Sequence, residues 1–330
     1  MTVAIPALHG GEKLARCLEH LRAQTYREFD VVIVDNSGTG IAKSHHQPPL
    51  VRVIENPENL GFGIAINQAI DATSAKYVLA LNDDAYAAPG WIEKLVAAAE
   101  ADAAVGMCAS QVRLHDGRLD SAGLEIYGDG TTKQRGHRES PSAYAGSDEA
   151  LLPSGCAALY RRRALADSGV FDPEYFLYGE DADLGLRLQL AGWRCRYVAD
   201  AVVEHDYSSS AGRASVLKAY YVERNRLYTV LKVFPVFLWP LVPWYALIRY
   251  CAHFGGLLRG RGLAAEFLQG GEKWWRLVLI VGSAHWSTLR RLPHLLEKRR
   301  VARRSAKLGT LGFWRLLRKH HVTASRLARQ

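Results

Sequence analysis

Along the first half of the chain, short runs of consecutive apolar residues alternate with segments whose apolar positions recur every three or four residues. Val31-Val32-Ile33-Val34 is a continuous β-branched run closed by Asp35-Asn36-Ser37-Gly38, which predicts a strand covered on both faces and then a turn. Val51 to Ile54, Tyr77 to Leu81 and Val105 to Ser110 predict similar strands. Between them, Leu14, Leu18 and Leu21 keep one helix face, and Trp91, Leu95 and Val96 keep another that opens after Pro89. A later helix is expected over Ala182 to Ala191, with Leu184 and Leu188 on one side and Gly192 ending it. Strands alternating with helices predict an α/β domain with a mainly parallel central sheet, and such sheets place ligands at the carboxyl ends of their strands. Residues 115 to 149 are polar, rich in Gly and Ser and without period, which predicts an excursion lying over the site. From Tyr220 onward the composition turns aromatic, aliphatic and basic, and no internal repeat is evident.

Composition changes this picture in two places. With 330 residues, 48% hydrophobic and 23% charged, the chain can bury one large core or two smaller ones, which excludes a disulfide-stapled miniprotein or a disordered chain. The five cysteines are scattered and never form a Cys-x-x-Cys pair, so neither a disulfide framework nor a zinc ribbon is indicated and a reducing cytosol is expected. Met1 leads directly into Thr2-Val3-Ala4-Ile5-Pro6, and no secretory leader is expected. The net charge of +9 is divided unevenly: up to Ser210 there are 19 Lys and Arg against 29 Asp and Glu, and beyond it 23 against 4. An acidic body of −10 thus carries a tail of +19, suited to nucleic acid, an acidic partner or an anionic membrane.

Several polar groups follow predicted strands. Asn82-Asp83-Asp84 closes the strand Tyr77 to Leu81, where paired carboxylates can bind a hard divalent cation and bridge it to phosphate; a solvated turn would use the same residues. Asp35 at its strand end could accept a hydrogen bond from a pyrimidine N–H or a ribose hydroxyl, and it also suits a turn. Asn59-Leu60-Gly61-Phe62-Gly63 precedes a helix-like segment whose amino end offers N–H groups to a diphosphate, although a tight strand-to-helix turn has the same composition. Glu180-Asp181-Ala182-Asp183 suits a helix amino terminus, but Phe176-Leu177-Tyr178-Gly179 before it would press the carboxylates against apolar surface. Crowded carboxylates raise one another's pKa, which makes one a candidate general base. His205, after Ala201-Val202-Val203-Glu204, could be a metal ligand, a phosphate contact or a core-edge histidine, and Tyr207, Ser208, Ser209 and Ser210 supply hydroxyls beside it.

The serial order of these groups, with Pro153-Ser154-Gly155 between them, resembles glycosyltransferase family 2 from about Thr2 to Arg226. Asn59-Leu60-Gly61-Phe62-Gly63 with Asn67, and Gly169-Val170-Phe171-Asp172-Pro173-Glu174-Tyr175-Phe176 leading into Tyr178-Gly179-Glu180-Asp181-Ala182-Asp183, look most like its rhamnosyltransferase branch. The resemblance implies a GT-A fold over residues 1–210, binding a nucleoside-diphosphate sugar, with residues 211–330 as a helical basic appendage. Asp35 matches the residue that contacts the pyrimidine, and Asn82-Asp83-Asp84 occupies the place of the Asp-x-Asp motif, Asn82 departing from its first Asp. Asp84 matches the metal-binding carboxylate, His205 a histidine that ligates the metal in some members, and Asp181 the general base, with Glu180 and Asp183 shaping its surroundings. Donor contacts are implied for Pro6, His9, Asp35, Asn59, Gly61, Gly63, Asn67, Asn82 and Asp83; at Ala7-Leu8-His9 the chain departs from the family's usual Thr and Asn. The implied cofactor is Mg²⁺ or Mn²⁺ and the implied donor dTDP-rhamnose or a UDP-sugar, reacting with inversion.

The tail narrows the partner. Val233 to Ile248 gives 16 uncharged residues interrupted by Pro235, Pro240 and Pro243. As a helix these would reach only about 24 Å against a hydrocarbon core of ~30 Å, so broken helices at a membrane interface are expected rather than a span. Leu277 to Leu289 is shorter still and leads to Arg290-Arg291 and the cluster from Lys298 to Lys307. A helical appendage packed on the body, or a homo-oligomer contact, would use the same residues. An anionic cytoplasmic membrane face suits this tail, and the expected acceptor is a growing glycan on a polyprenyl diphosphate. A nucleic-acid-binding protein is the rival from another class, disfavoured by the −10 body and the apolar run, so no nucleic-acid partner is expected; a nucleotidyltransferase on sugar phosphates is a closer rival.

Overall fold

The computed structural model of the protein describes residues 1–45, 50–206 and 215–328. Its first elements are β1 (Thr2–Ala7), α1 (Gly11–Arg22), β2 (Asp30–Asp35), β3 (Val51–Glu55), α2 (Phe62–Asp71), β4 (Tyr77–Leu81), β5 (Ala85–Ala87), α3 (Trp91–Glu100) and β6 (Val105–Arg113). The polar excursion folds into short strands, β7 (Leu119–Ser121), β8 (Leu124–Ile126), β9 (Thr132–Gln134) and β10 (Glu149–Ala150). The body closes with β11 (Ala157–Arg161), α4 (Arg162–Ser168), α5 (Glu180–Leu190) and β12 (Arg194–His205).

The strand order β10-β12-β6-β11-β4-β1-β2-β3 makes one twisted sheet, with β5 on β12 and β7 on β6. Pairs β3-β2, β2-β1, β1-β4 and β6-β12 are parallel, whereas β11 runs antiparallel to both β4 and β6. Successive side chains on a strand face opposite sides, and both sides are covered here. Val31 and Ile33 pack with Leu14, Leu18, Trp91 and Leu95 of α1 and α3, while Val32 and Val34 pack with Ile66 and Ile70 of α2. Because the reversed β11 begins opposite Leu81, Gly155 and Cys156 are delivered to the same edge as the carboxyl ends of β1, β2, β4 and β12.

The basic tail forms helices α6 (Val216–Val233), α7 (Val242–Leu258), α8 (Leu263–Gln269), α9 (Trp274–Arg290), α10 (Leu292–Arg304), α11 (Thr310–Lys319) and α12 (Ala324–Ala328). Pro235 precedes and Pro240 lies within a 3₁₀ stretch between α6 and α7, and Pro243 stands in the first turn of α7, where a missing N–H costs no helical bond. Buried charges tie the tail to the body. Lys232 Nζ lies 2.6 Å from both Asp172 and Asp183, and Arg249, paired within the tail to Glu223 at 2.9 Å, reaches Asp129 of the body at 2.6 Å. Such pairs give specificity rather than large net stability, but removing one partner strands a buried charge at about 3–5 kcal/mol. The expected boundary at Ser210, and the hydroxyls of Tyr207 to Ser210, lie outside the described residues.

Candidate active site

One cavity of about 1460 Å³ lies over the carboxyl edge of the sheet. Its floor carries Asn82, Asp83 and Asp84 from the loop after β4, Asp181 from α5 and His205 from β12. The placements follow from backbone pairing: Asn82 N–H donates to Cys156 O at 2.9 Å, Asp206 N–H donates to Asp84 O at 3.0 Å, and His205 pairs with Ala85.

Two clusters occupy this floor. In the first, His205 Nε2 stands 3.3 Å from Asp84 Oδ1 and Nδ1 stands 2.9 Å from Asp120 Oδ2, while Asp120 Oδ1 meets His137 Nδ1 at 3.1 Å. Burial alone would push Asp120 up, but hydrogen bonds from His137 and His205 hold its carboxyl below the usual range. Burial likewise opposes a charged His205, yet Cys156, Asp120 and Asp84 around it raise the imidazole well above its ordinary value. Asp83 is pushed up to about 6 by burial and by Asp84, against the Leu8 N–H and His9. Surroundings that favour imidazolium also favour another cation beside Asp84. The donor set of one carboxylate and one imidazole fits a divalent ion that takes its remaining ligands from diphosphate and water. Among the described residues no group of three or more His, Cys, Asp or Glu could hold an ion by itself.

The second cluster stands at the start of α5. Asp181 Oδ2 accepts from Gly155 N–H at 3.1 Å, and Oδ1 from its neighbour Ala182 N–H at 2.7 Å. Its carboxyl is nonetheless raised by burial, and that of Glu180 is pushed up to about 8 by burial and by Asp181. Asp183, one turn position away, behaves oppositely. Burial would raise it, but Arg187 Nε at 2.9 Å and Lys232 Nζ at 2.6 Å hold it below the usual range. The preceding backbone is strained, with φ of 57° at Phe176 and 63° at Tyr178 before Gly179 at 82°. Asn225 of α6 stabilises that strain: its buried Nδ2 donates to the carbonyls of Tyr175, Leu177 and Tyr178 at 2.6–2.9 Å.

The remaining sequence candidates divide into cavity wall and scaffold. Pro6 and Asn59 line the cavity, and Asn59 Oδ1 also caps the turn at Gly61 N–H. Gly61 has φ 92°, and a Cβ there would stand 2.4 Å from Phe176 O, so glycine is required on both counts. Gly63 is needed for contact with Phe171, and Asn67 donates to and accepts from the Phe171 backbone, so both shape the turn from behind. His9 is exposed and does not line the cavity, although its neighbour Leu8 does. Asp35 does not line the cavity: its oxygens accept from Ser37 N–H, Ser37 Oγ–H and Ala42 N–H at 2.6–2.9 Å, whereas its neighbour Asn36 does. Asp84, Asp181 and His205 therefore meet in one cavity, with Asp35 on the same edge but turned into its own loop. Asp120, His137 and Asn225 were missed by sequence reasoning. They lie in a period-less stretch and on a basic helix, and no local pattern marks them.

The excursion lies over the site as expected, contributing Thr131, Lys133 and His137 to the wall. The tail closes the cavity from the other side with α6 to α9.

Comparison with known proteins agrees with this architecture. The sequence model described as Glycosyl transferase family 2 matches residues 2–169. The chain is 33% identical over 243 residues to an N-acetylglucosaminyl-diphospho-decaprenol L-rhamnosyltransferase of Mycobacterium tuberculosis, covering 64% of this chain and 78% of the relative. Among solved structures, GalNAc-T7 with UDP, GalNAc and Mn²⁺ superposes with a TM-score of 0.57 at 15% identity, over 70% of this chain and 47% of that one. The mannosyltransferase PcManGT of Pyrobaculum calidifontis, in complex with GDP-Man and Mn²⁺, gives 0.54 at 16% identity over 94% and 86%. These likenesses extend to the GT-A-like sheet and into the C-terminal helices. The mainly parallel sheet, the carboxylates at its edge and the sequence match over half the chain lead to one assignment: the protein is a glycosyltransferase belonging to glycosyl transferase family 2.

Proposed function

We propose that the enzyme transfers a sugar, with rhamnose favoured, from a pyrimidine nucleoside diphosphate (dTDP-rhamnose or a UDP-sugar) to a hydroxyl of a polyprenyl-diphosphate-linked glycan. The observation that carries this reading is the presence of a candidate carboxylate base, Asp181, and a carboxylate–imidazole pair, Asp84 with His205, in the lining of one cavity. The mycobacterial relative, whose name joins rhamnosyl transfer to a diphospho-decaprenol acceptor, supports the substrate class.

The chemical obstacle is negative charge accumulating on the departing nucleoside diphosphate. Asp84 and His205 would hold Mg²⁺ or Mn²⁺, which when bound supplies charge neutralisation at that diphosphate. Asp181, oriented by the Gly155 N–H, takes the proton of the acceptor hydroxyl as its oxygen attacks the anomeric carbon. A single displacement with the leaving group on the far side inverts the configuration. Glu180 keeps its proton at neutral pH, which limits the negative charge facing the donor. The excursion and the tail form the walls around this centre.

The tail also supports a place for the reaction. Trp244, Ile248, Trp274, Trp286 and Leu289 are exposed on α7 and α9, beside the basic helix α10. No helix among the described residues is long and apolar enough to cross a membrane. Peripheral attachment to the anionic cytoplasmic face fits apolar side chains at headgroup depth with basic residues around them. The alternative use of the same surface is contact with a second copy.

A panel of nucleotide-sugars incubated with Mg²⁺, Mn²⁺ or chelator tests the donor and the metal. Release of a nucleoside diphosphate is expected, and release of pyrophosphate from a nucleoside triphosphate would indicate a nucleotidyltransferase instead. Sedimentation with anionic vesicles at physiological salt tests the surface; a dimer that ignores vesicles would assign it to self-association.

A further inference from the structure

The cavity is larger than the reaction at its floor requires. Small-molecule sites typically occupy about 300–1,000 Å³, and this one reaches about 1460 Å³ because it continues into the C-terminal helices. Its chemistry changes along the way. The floor is made of carboxylates and His205, whereas the far arm is walled by Leu257 of α7, Phe267 of α8 and Leu277 and Val281 of α9. Between the two, Glu223, Arg226 and Arg249 also line the cavity and pair with one another, so the apolar character belongs to the outer part formed by α7 to α9.

The arm also has an outlet of matching character. Trp274 and Val278 line the cavity and are at the same time 67% and 61% exposed, so they form its mouth. The outer surface next to them carries Leu279, Trp286 and Leu289, each about three-fifths exposed. The cavity lining therefore joins the exposed apolar side chains of α9 to Asp181, with the paired charges Glu223, Arg226 and Arg249 in its wall. On the inner side Lys218 lies 5.3 Å from the ring centre of Tyr178, three residues before Asp181, which places a cation where the chain would meet its polar head.

We propose that this arm is a binding site for the isoprenoid chain of the acceptor, holding the segment next to the diphosphate while the rest of the chain stays in the lipid. The inference rests on the reading of the acceptor as polyprenyl-linked. Its physical basis is that an isoprenoid entering from a bilayer would pass directly from one apolar surroundings to another, so that no apolar surface need cross water. The arm also fixes direction: with the chain running outward along α9, the glycan end is left at Asp181.

Binding of farnesyl diphosphate and of inorganic diphosphate to the full chain, measured by calorimetry below the micellar concentration, tests the site. The farnesyl group is expected to tighten binding at least tenfold. Leu277→Asp in the wall and Ala264→Phe, which plugs the arm, should each remove that difference, while Trp286→Ser on the outer face should keep it. Equal affinity of the two probes for the wild type would overturn the site. So would loss of the difference in Trp286→Ser with both wall variants unaffected, which would put the chain on the outer surface. Turnover of nucleotide-sugars by the same preparations separates the two readings: turnover without a farnesyl contribution refutes the arm alone, and farnesyl binding without any turnover refutes the proposed transfer while leaving the arm.

Discussion

Asp120 Oδ2 lies 2.9 Å from His205 Nδ1, although the two residues are 85 positions apart and come from β7 and the end of β12. With Asp120 ionised, the ring donates through Nδ1 and its Nε2 is held toward Asp84. Carboxylates that orient a metal-binding imidazole in this way typically change metal affinity about 10–100-fold when removed. Asp120→Asn is therefore expected to weaken Mn²⁺ binding by that factor, read by the paramagnetic signal of free Mn²⁺ at a temperature where the variant is folded. Unaltered Mn²⁺ affinity would reduce Asp120 to a core contact.

Asp181 is expected to act only in the chemical step. Asp181→Asn should lower kcat by about 10²–10⁴ while donor binding, measured directly by titration, stays near the wild-type value. Near-normal turnover in the folded variant would remove Asp181 from the mechanism.

The Glu180–Asp181 pair predicts the pH profile. A base works deprotonated, so kcat should fall as the pH drops through the raised value of Asp181, and this limb should lie above the ordinary carboxylate range. Glu180, pushed up to about 8, would on ionising add a negative charge to the cavity that is proposed to take the donor diphosphate. The donor KM should therefore rise above about pH 8 in the wild type and remain flat there in Glu180→Gln, with the acid limb kept.

Asn225 links the tail to the turn before α5 through three carbonyls of strained backbone. Asn225→Ala leaves one buried and two half-buried carbonyls without this donor, at a cost of about 1–3 kcal/mol. Thermal unfolding should report the loss, and kcat should fall with it because the turn positions Asp181.

Acid should loosen the tail through Glu223, which is held down to about 2, against its burial, by Arg226 and Arg249. A depressed carboxylate contributes stability above its unfolded value and loses it as the pH falls toward the folded one. The contribution is on the order of 3 kcal/mol above about pH 5 and vanishes toward about pH 2. Acid titration of Glu223→Gln should show that portion missing at neutral pH and the remaining profile flatter.

The chain's own pattern determined the body closely. The run Tyr77 to Leu81 coincides with β4, Val31 to Val34 lies within β2, and the Leu14-Leu18-Leu21 face is buried in α1, because burial on both sides of a parallel sheet leaves a continuous local signature. The carboxylates after those strands were legible for the same reason, since strand ends fix where they emerge. Which way each one turns was not: Asp35 folds back on Ser37 and Ala42, and Asp183 turns to Lys232, whereas Asp84 and Asp181 face the cavity. Only tertiary structure decided that, together with the pairing of Asp120 with His205 and the closure of the cavity by α6 to α9. These depend on contacts between residues tens to more than a hundred positions apart, such as Arg249 with Asp129, which no local periodicity encodes.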